Sequence, residues 1–531
     1  MTAIEQHFIH LEAQSEWRFE LEADENIAIR VQSPDPVYIN SEELAPVTWY
    51  PLHHYLKGAI YAPTPAKIEL SSVPASQYSS TSTTQPALIS LHIALERLRI
   101  LARRTISGTA ANFHGDEVRR GPRVMVLGPP SSGKTTVVKN LVNMALSSGL
   151  GWTPGVIGLD PSSPSNLIPG SLSLSTPSNP IPTHHLAHPM GSPPSSIPSN
   201  TLGADVPTIG WWYGHLEPTN KGVDVWRKLV DDMGQRWKER CEKDPIVAAS
   251  GAFIDTSSAF VNPMLGTRKD DPKARYSLVA HAINTFEVDT LVVIGHEKLT
   301  IDLTRLFPMV RIIRIPKSGG TVDLDDAYRQ IAQSQQVRGY FYGEPNLPRE
   351  ISSLSGRMVG LESGLSPYSF QIGWETLTIL RVGEENAAPS TALPLGSTRI
   401  LSPTRLTRVD PSGPAHITRL LNTVLAVVQL VPGDRIKKDK PAEDVKQEVK
   451  EEAKPEVEAD GDEGVDQAMP EVEDEEEVPF KEEIGWREVT GFIVITAIDT
   501  LRKKFTILSP SPGKLPSKVA IAGSIEWVDS E

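Results

Sequence analysis

At 531 residues the chain is too long for a single hydrophobic core, and two or three domains are expected. Its one cysteine, Cys241, excludes an internal disulfide and suits a reducing compartment, with nothing near it to suggest a thiol nucleophile. The formal net charge of −14 is concentrated in residues 437–483, which hold 20 acidic and 7 basic residues, so the nearly neutral remainder does not exclude a nucleic-acid ligand.

Residues 14–80 read as short period-two runs at 17–22, 27–31, 59–62 and 67–70, which predicts an N-terminal β domain, a small sandwich or barrel, over 1–86. A polar linker follows at 79–84. Leu88, Leu91, Leu95, Leu98 and Leu101 then form a helical stripe. The apolar run 123–127 ends at a glycine, as a buried parallel strand would. After it, Gly128-Pro129-Pro130-Ser131-Ser132-Gly133-Lys134-Thr135 fits G-x-x-x-x-G-K-[ST], the loop that wraps a nucleoside triphosphate. The glycines let backbone N–H groups turn onto the phosphates, Lys134 reaches the β/γ-phosphates, and the Thr135 hydroxyl ligates magnesium. Ser131, Ser132 and Thr136 are counted with them as nucleotide contacts. Val137, Val138, Leu141, Val142, Ala145 and Leu146 continue as a helix whose N-terminus carries the anion, and Gly149 is placed to end it.

Further strands are expected at 155–159, 251–254, 290–294 and 310–315, with helices near 225–237 and 278–284. This alternation predicts a parallel α/β P-loop NTPase domain over 87–343. The Pro/Ser-rich stretch 161–208 reads as a flexible insertion outside the sheet, and His184, His185 and His188 within it as an unstructured run rather than a metal site. Strand-like runs at 370–372, 377–382, 425–430, 491–496, 504–508 and 519–522 define a C-terminal α+β or mostly-β domain over 344–531. A disordered acidic loop at about 434–484 interrupts it. No apolar stretch approaches a membrane span and the start of the chain lacks signal-peptide order, so a soluble intracellular protein with no membrane partner is expected. Asp160 ends the 155–159 strand, where a carboxylate either faces magnesium or an attacking hydroxyl, or caps a turn; Asp255 is a weaker competitor for that role.

Gly121-Pro122-Arg123-Val124, Phe286-Glu287-Val288-Asp289, Pro316-Lys317-Ser318-Gly319-Gly320, Tyr340-Phe341-Tyr342-Gly343 and Leu508-Ser509-Pro510-Ser511-Pro512, taken with the P-loop, resemble the polyribonucleotide 5′-hydroxyl kinase family. Within it the match is to the pre-mRNA cleavage and polyadenylation subunit of fungal cleavage factor IA type. The resemblance spans nearly the whole chain outside the two insertions. It implies a three-domain layout, ATP and magnesium as ligands, and the nucleus as compartment. The implied partners are the scaffold subunit of cleavage factor IA and other 3′-end processing subunits, with pre-mRNA contacted indirectly or weakly. It also implies adenine contacts from Glu16 and Lys57, which by themselves read as surface charges.

The departures from the family pattern bear on activity. Active members carry a glutamine shortly after the strand-two aspartate, where Asp160 is followed here by Pro161-Ser162-Ser163. Their RNA-stacking Thr-x-Gly-Trp stretch reads Thr256-Ser257-Ser258-Ala259, without the aromatic platform. In the lid, Arg329 is the arginine kept, and Asp323, Asp325 and Asp326 read as acids beside the phosphoryl group. The expectation is therefore an ATP-binding subunit required for endonucleolytic cleavage, with ATP bound structurally. The alternative is an active ATP-dependent RNA 5′-hydroxyl kinase with Asp160 as base and Arg329 as lid. A GTPase-like switch lacks the Asn-Lys-x-Asp run that reads the base.

Overall fold

In the computed structural model, which describes residues 7–108, 119–186, 189–190, 208–267, 274–343, 345–359, 365–383, 403–412, 419–436, 478–512 and 515–529, the N-terminal alternation forms nine strands. These are β1 (His7–Leu11), β2 (Ser15–Glu20), β3 (Ile27–Val31), β4 (Val37–Ile39), β5 (Glu42–Leu44), β6 (Thr48–Leu52), β7 (Lys57–Ala62), β8 (Ala66–Leu70) and β9 (Ser76–Ser80). They pair as β1-β8-β3-β6 and β5-β4-β7-β2-β9 around a core that includes Trp17, Phe19, Ile29, Val31, Ile60 and Ile68. Because side chains alternate along a strand, Trp17 and Phe19 point into this sandwich while Glu16, Arg18 and Glu20 lie on the other face. Ser79 and Ser80, expected in a linker, instead pair with Trp17 and Glu16.

The leucine stripe belongs to α1 (Gln85–Ile106), which leads to β10 (Arg123–Leu127), α2 (Lys134–Leu146) and β11 (Gly155–Leu159). Next come β12 (Ser171–Ser175), β13 (Thr208–Trp212), α3 (Val223–Lys243), α4 (Pro245–Ser250), β14 (Ala252–Thr256), α5 (Ser277–Phe286), β15 (Thr290–Ile294), α6 (Glu297–Leu306), β16 (Arg311–Ile315) and α7 (Asp326–Tyr342). Strands β16-β15-β10-β14-β11 are parallel, with β10 between β14 and β15, so the P-loop opens at the carboxyl edge of the sheet's middle.

The insertion expected outside the sheet is partly inside it. β12 pairs antiparallel with both β11 and β13, and Leu172 and Leu174 are buried. Ser171-Leu172-Ser173-Leu174-Ser175 alternates with period two, but the surrounding proline and serine hide that period in any composition window. Its buried hydroxyls are partly satisfied locally, Ser171 Oγ donating to the Ile168 carbonyl and Ser175 Oγ to Asn166 Oδ1. His188 and residues 191–207 lie outside the described residues.

After α7 the chain returns to the N-terminal sandwich through α8 (Arg349–Ser352) and β17 (Arg357–Met358), which pairs parallel with β6. The C-terminal strands are β18 (Tyr368–Gly373), β19 (Thr378–Val382), β20 (Leu406–Arg408), β21 (Thr423–Val428), β22 (Glu488–Asp499), β23 (Lys504–Ser509) and β24 (Val519–Glu526). β13 pairs with β22, so the central and C-terminal parts share one 14-stranded sheet. Most of the acidic segment, 437–477, lies outside the described residues; its flanks meet at an Arg435–Phe480 bridge and an Arg487–Asp434 ion pair.

Candidate nucleotide site

A cavity of about 430 Å³ lies between the P-loop, the outer face of β2 and the N-terminal half of α7. Ser131, Ser132, Gly133, Lys134, Thr135 and Thr136 form its floor. Gly133 caps α2 with φ +83°, a left-handed conformation that favours glycine, and a Cβ on Gly128 would stand 2.6 Å from Ser132 Oγ. Lys134 Nζ donates to the Pro129 carbonyl at 3.2 Å. Burial lowers the Lys134 pKa against the opposing pull of Asp160 and Asp255.

The sequence ranks Asp160 above Asp255, and the structure gives the two carboxyls different partners. Thr135 Oγ1 donates to Asp255 Oδ2 at 2.6 Å, while Asp255 Oδ1 is buried without a protein partner. Burial pushes the Asp255 carboxyl up to about 6, and Asp160 adds to the rise. A carboxylate beside the P-loop hydroxyl is a donor set that could hold magnesium, since that ion takes one or two carboxylates and completes its shell with phosphate and water. Asp160 lines the cavity and also caps a turn, its Oδ1 accepting from Ser162 N at 3.0 Å and Ser162 Oγ at 2.7 Å.

The sandwich supplies the roof. Glu16 and Arg18 form a buried ion pair at 2.9 Å, Thr83 Oγ1 also donates to Glu16, and the Arg18 guanidinium lies 5.6 Å from the Tyr78 ring. Lys57 lines the cavity while paired with Glu20 and 5.2 Å from the Tyr328 ring. Arg329 reaches the floor, its Nη2 donating to Ser131 Oγ at 3.1 Å, and Leu324 N donates to the same oxygen at 3.2 Å. Gln333 Nε2 donates to the Ser162 carbonyl at 3.1 Å, which closes the Asp160 side.

The expectation that lid acids sit beside the phosphoryl group is corrected. Asp325 caps α7 by accepting from Tyr328 N at 2.8 Å, and Asp323 is an exposed partner of Lys317 at 3.5 Å. Asp323, Asp325 and Asp326 are absent from the cavity lining. Acids at a helix N-terminus are the ordinary response to unpaired N–H groups and the helix dipole. In the former stacking stretch, Thr256 Oγ1 donates to the Val126 carbonyl and Ser257 Oγ accepts from Ala259 N, both structural uses. Sequence reasoning missed Arg18, Tyr78, Tyr328, Gln333 and Gln336; the available signal was the alternation that puts Arg18 on the same strand face as Glu16.

Among the described residues no group of three or more His, Cys, Asp or Glu is arranged to hold a metal, and the His185 ring packs 5.2 Å from His53 and 6.2 Å from His54. Burial raises the Cys241 thiol to about 11, against a nucleophilic role. No helix among the described residues is long and apolar enough to cross a membrane.

Family models match along the chain: the N-terminal β-sandwich domain of polyadenylation factor over residues 10–102, the mRNA cleavage and polyadenylation factor CLP1 P-loop over 128–343, and pre-mRNA cleavage complex II protein Clp1 over 365–529. The mRNA cleavage and polyadenylation factor CLP1 of Cryptococcus neoformans is 61% identical over 98% of both chains. The protein of the same name from Laccaria bicolor is 33% identical over 97% of both, and the polyribonucleotide 5′-hydroxyl-kinase Clp1 of Xenopus laevis is 26% identical over 96% of this chain and 94% of its own. A solved Clp1p–Pcf11p complex shares the fold, with a TM-score of 0.68 at 21% identity over 99% of both chains. A second, described as showing an extended Pcf11p–Clp1p interface and ATP loss in a point mutant, has a TM-score of 0.69 at 22% identity. With N-terminal sandwich, P-loop domain and C-terminal domain all matched in order, the chain belongs to the Clp1 family of mRNA cleavage and polyadenylation factors.

Proposed function

We propose that this chain is an ATP-binding subunit of the nuclear pre-mRNA 3′-end cleavage and polyadenylation complex, with Mg·ATP held as a structural ligand. The observation that carries the reading is the complete floor, Lys134 with the Thr135–Asp255 pair, beneath a lid already bonded to it through Arg329 and Ser131. In that role Lys134 and the P-loop N–H groups hold the phosphates, and Thr135 and Asp255 hold magnesium, which neutralises phosphate charge when bound. Glu16 and Lys57 face the rest of the nucleotide from the roof. A ligand bound only by the folded state adds stability by mass action without turnover. The partners are the scaffold subunit of cleavage factor IA and other 3′-end processing subunits, with pre-mRNA contact indirect or weak. This part of the reading is supported by the Clp1p–Pcf11p assemblies of the same fold.

The test is to denature the purified protein and assay the supernatant for nucleotide. ATP is expected near one equivalent, and Lys134→Ala should lose it along with the rise in melting temperature on adding Mg·ATP. No released nucleotide together with an unmoved melting temperature would overturn the proposal. A kinase reading is favoured by one observation, Asp160 and Arg329 lining the same cavity, and by the frog relative's description. Transfer of label from ATP to a 5′-hydroxyl oligoribonucleotide, lost in Lys134→Ala, would replace the structural reading with it.

A further inference from the structure

Helix α7 bonds to all three parts of the molecule, turn by turn. At its start Tyr328 Oη donates to the Tyr55 carbonyl of the N-terminal sandwich at 2.8 Å. Arg329 bonds to Ser131 of the P-loop, and one turn later Gln333 bonds to Ser162 beside Asp160. The second half is anchored elsewhere: Val337, Tyr340 and Phe341 are buried in the core of the C-terminal sheet, and Tyr340 Oη accepts from Phe492 N at 3.1 Å. The last turn is held by Asp529, three residues beyond β24. Its carboxylate takes Arg338 Nη1 at 2.7 Å and the Tyr342 hydroxyl at 2.6 Å, two positions one turn apart on the helix. Trp527 stacks on Phe341, with ring centroids 6.0 Å apart, and brings Asp529 into place.

A helix rises about 1.5 Å per residue, so Asp529 grips α7 roughly 14–20 Å from the Arg329 turn, outside the cavity. At the nucleotide end α7 makes one part-buried bond from Arg329 to the P-loop and one from Gln333 to the Ser162 carbonyl, two bonds to two different segments. At the far end the exposed Asp529 carboxylate accepts two bonds, one to each oxygen, from positions a turn apart, and this two-point grip fixes the helix's rotation. We infer that Asp529 is a positioning residue for the nucleotide site: by holding the C-terminal end of α7 it keeps Arg329 and Gln333 over the P-loop, and so sets how slowly a bound nucleotide leaves. The inference rests on the nucleotide-binding reading above. Release requires α7 to lift, whereas initial capture is carried by the P-loop itself.

The experiment measures both rate constants for mant-ATP with magnesium on the full chain. In Asp529→Ala the dissociation rate is expected to rise about tenfold while association stays within twofold and the nucleotide-free melting temperature moves by no more than a few degrees. Asp529→Glu should recover most of the slow release, and Tyr342→Phe, which removes one hydroxyl and keeps the packing, should move dissociation in the same direction. Dissociation within twofold of wild type in both Asp529→Ala and Tyr342→Phe would overturn the inference, as would equal changes in both rates, the sign of general loosening. Should Asp529→Ala fail to fold, Tyr342→Phe decides alone. Failure of the wild type to bind mant-ATP is a different result, seen before any variant is compared, and removes the nucleotide reading together with the inference.

Discussion

Asp255 combines a buried carboxyl, one oxygen on Thr135 and the other without a protein partner, and the two facts fix opposite pH trends with and without ligand. Burial raises its folded pKa to about 6, above the ordinary carboxylate value. For the empty protein the folded state therefore takes the proton more readily than the unfolded chain does. The stability this group contributes is full below the unfolded pKa and is lost as pH rises through about 6. On the proposed reading, in which Asp255 holds magnesium as the ionised form, Mg·ATP affinity should run the other way and fall about tenfold between pH 7 and pH 5. Asp255→Asn should bind Mg·ATP more weakly at pH 7 and lose this pH dependence. Calorimetric titration at several pH values checks it, and an unchanged affinity and slope in the variant would remove Asp255 from the metal site.

At the scale of elements, β12 tests the sheet most directly. Leu172 is fully buried between β11 and β13, in a cluster with Leu174, Trp211 and Trp226, so Leu172→Ala should cost about 2–5 kcal/mol. Chemical denaturation reads this; a shift below about 0.5 kcal/mol is what a solvent-exposed insertion would give. The parallel strands β10, β11 and β15 were legible because a strand buried on both faces is an unbroken apolar run, and each occupies the span its sequence suggests. β12 was not, because three of its five buried positions are serine. α7 was legible only as a lid and not as a helix, for a related reason: on its cavity side stand Arg329, Gln333 and Gln336, which leave no apolar stripe there. The P-loop residues were legible as a motif because backbone geometry fixes their types. The closeness of Asp255 to Thr135 is not legible in the sequence, because it depends on which strand lies beside β10, and strand order is not written locally.

Across the whole molecule, the P-loop helix is also the seat of the N-terminal sandwich. α2 turns Lys139, Asn140 and Asn143 toward the β4–β5 hairpin and the 181–183 segment, and all three are buried. Ser41 Oγ donates to Asn140 Oδ1 at 2.6 Å, Asn143 Nδ2 donates to the Asn40 carbonyl at 2.9 Å, and Lys139 Nζ donates to the Pro182 carbonyl at 2.7 Å. Glu42 accepts from Thr183 N at 3.0 Å, and burial drives its carboxyl up to about 7 while driving Lys139 down to about 8, each held charged chiefly by the other. Lys139→Met removes the nearby charge that favours the ionised Glu42 carboxyl as well as the donor to the Pro182 carbonyl, so it should cost about 1–3 kcal/mol near pH 8. In the Glu42→Gln background, which keeps an acceptor for Thr183 N, the same substitution still leaves the Pro182 carbonyl without its donor but strands no charge. It should therefore cost at least about 1 kcal/mol less. The pH signature separates charge from packing: the folded-state Glu42 pKa is raised, so by pH 5 the carboxyl is largely neutral and the extra cost of Lys139→Met should shrink there. Urea denaturation of the wild type, both single variants and the double variant at pH 5 and pH 8 measures this. A Lys139→Met cost that is the same at both pH values, with a coupling below about 0.5 kcal/mol, would mean that the amide and hydroxyl contacts of α2 hold the sandwich to the P-loop domain without help from the charges.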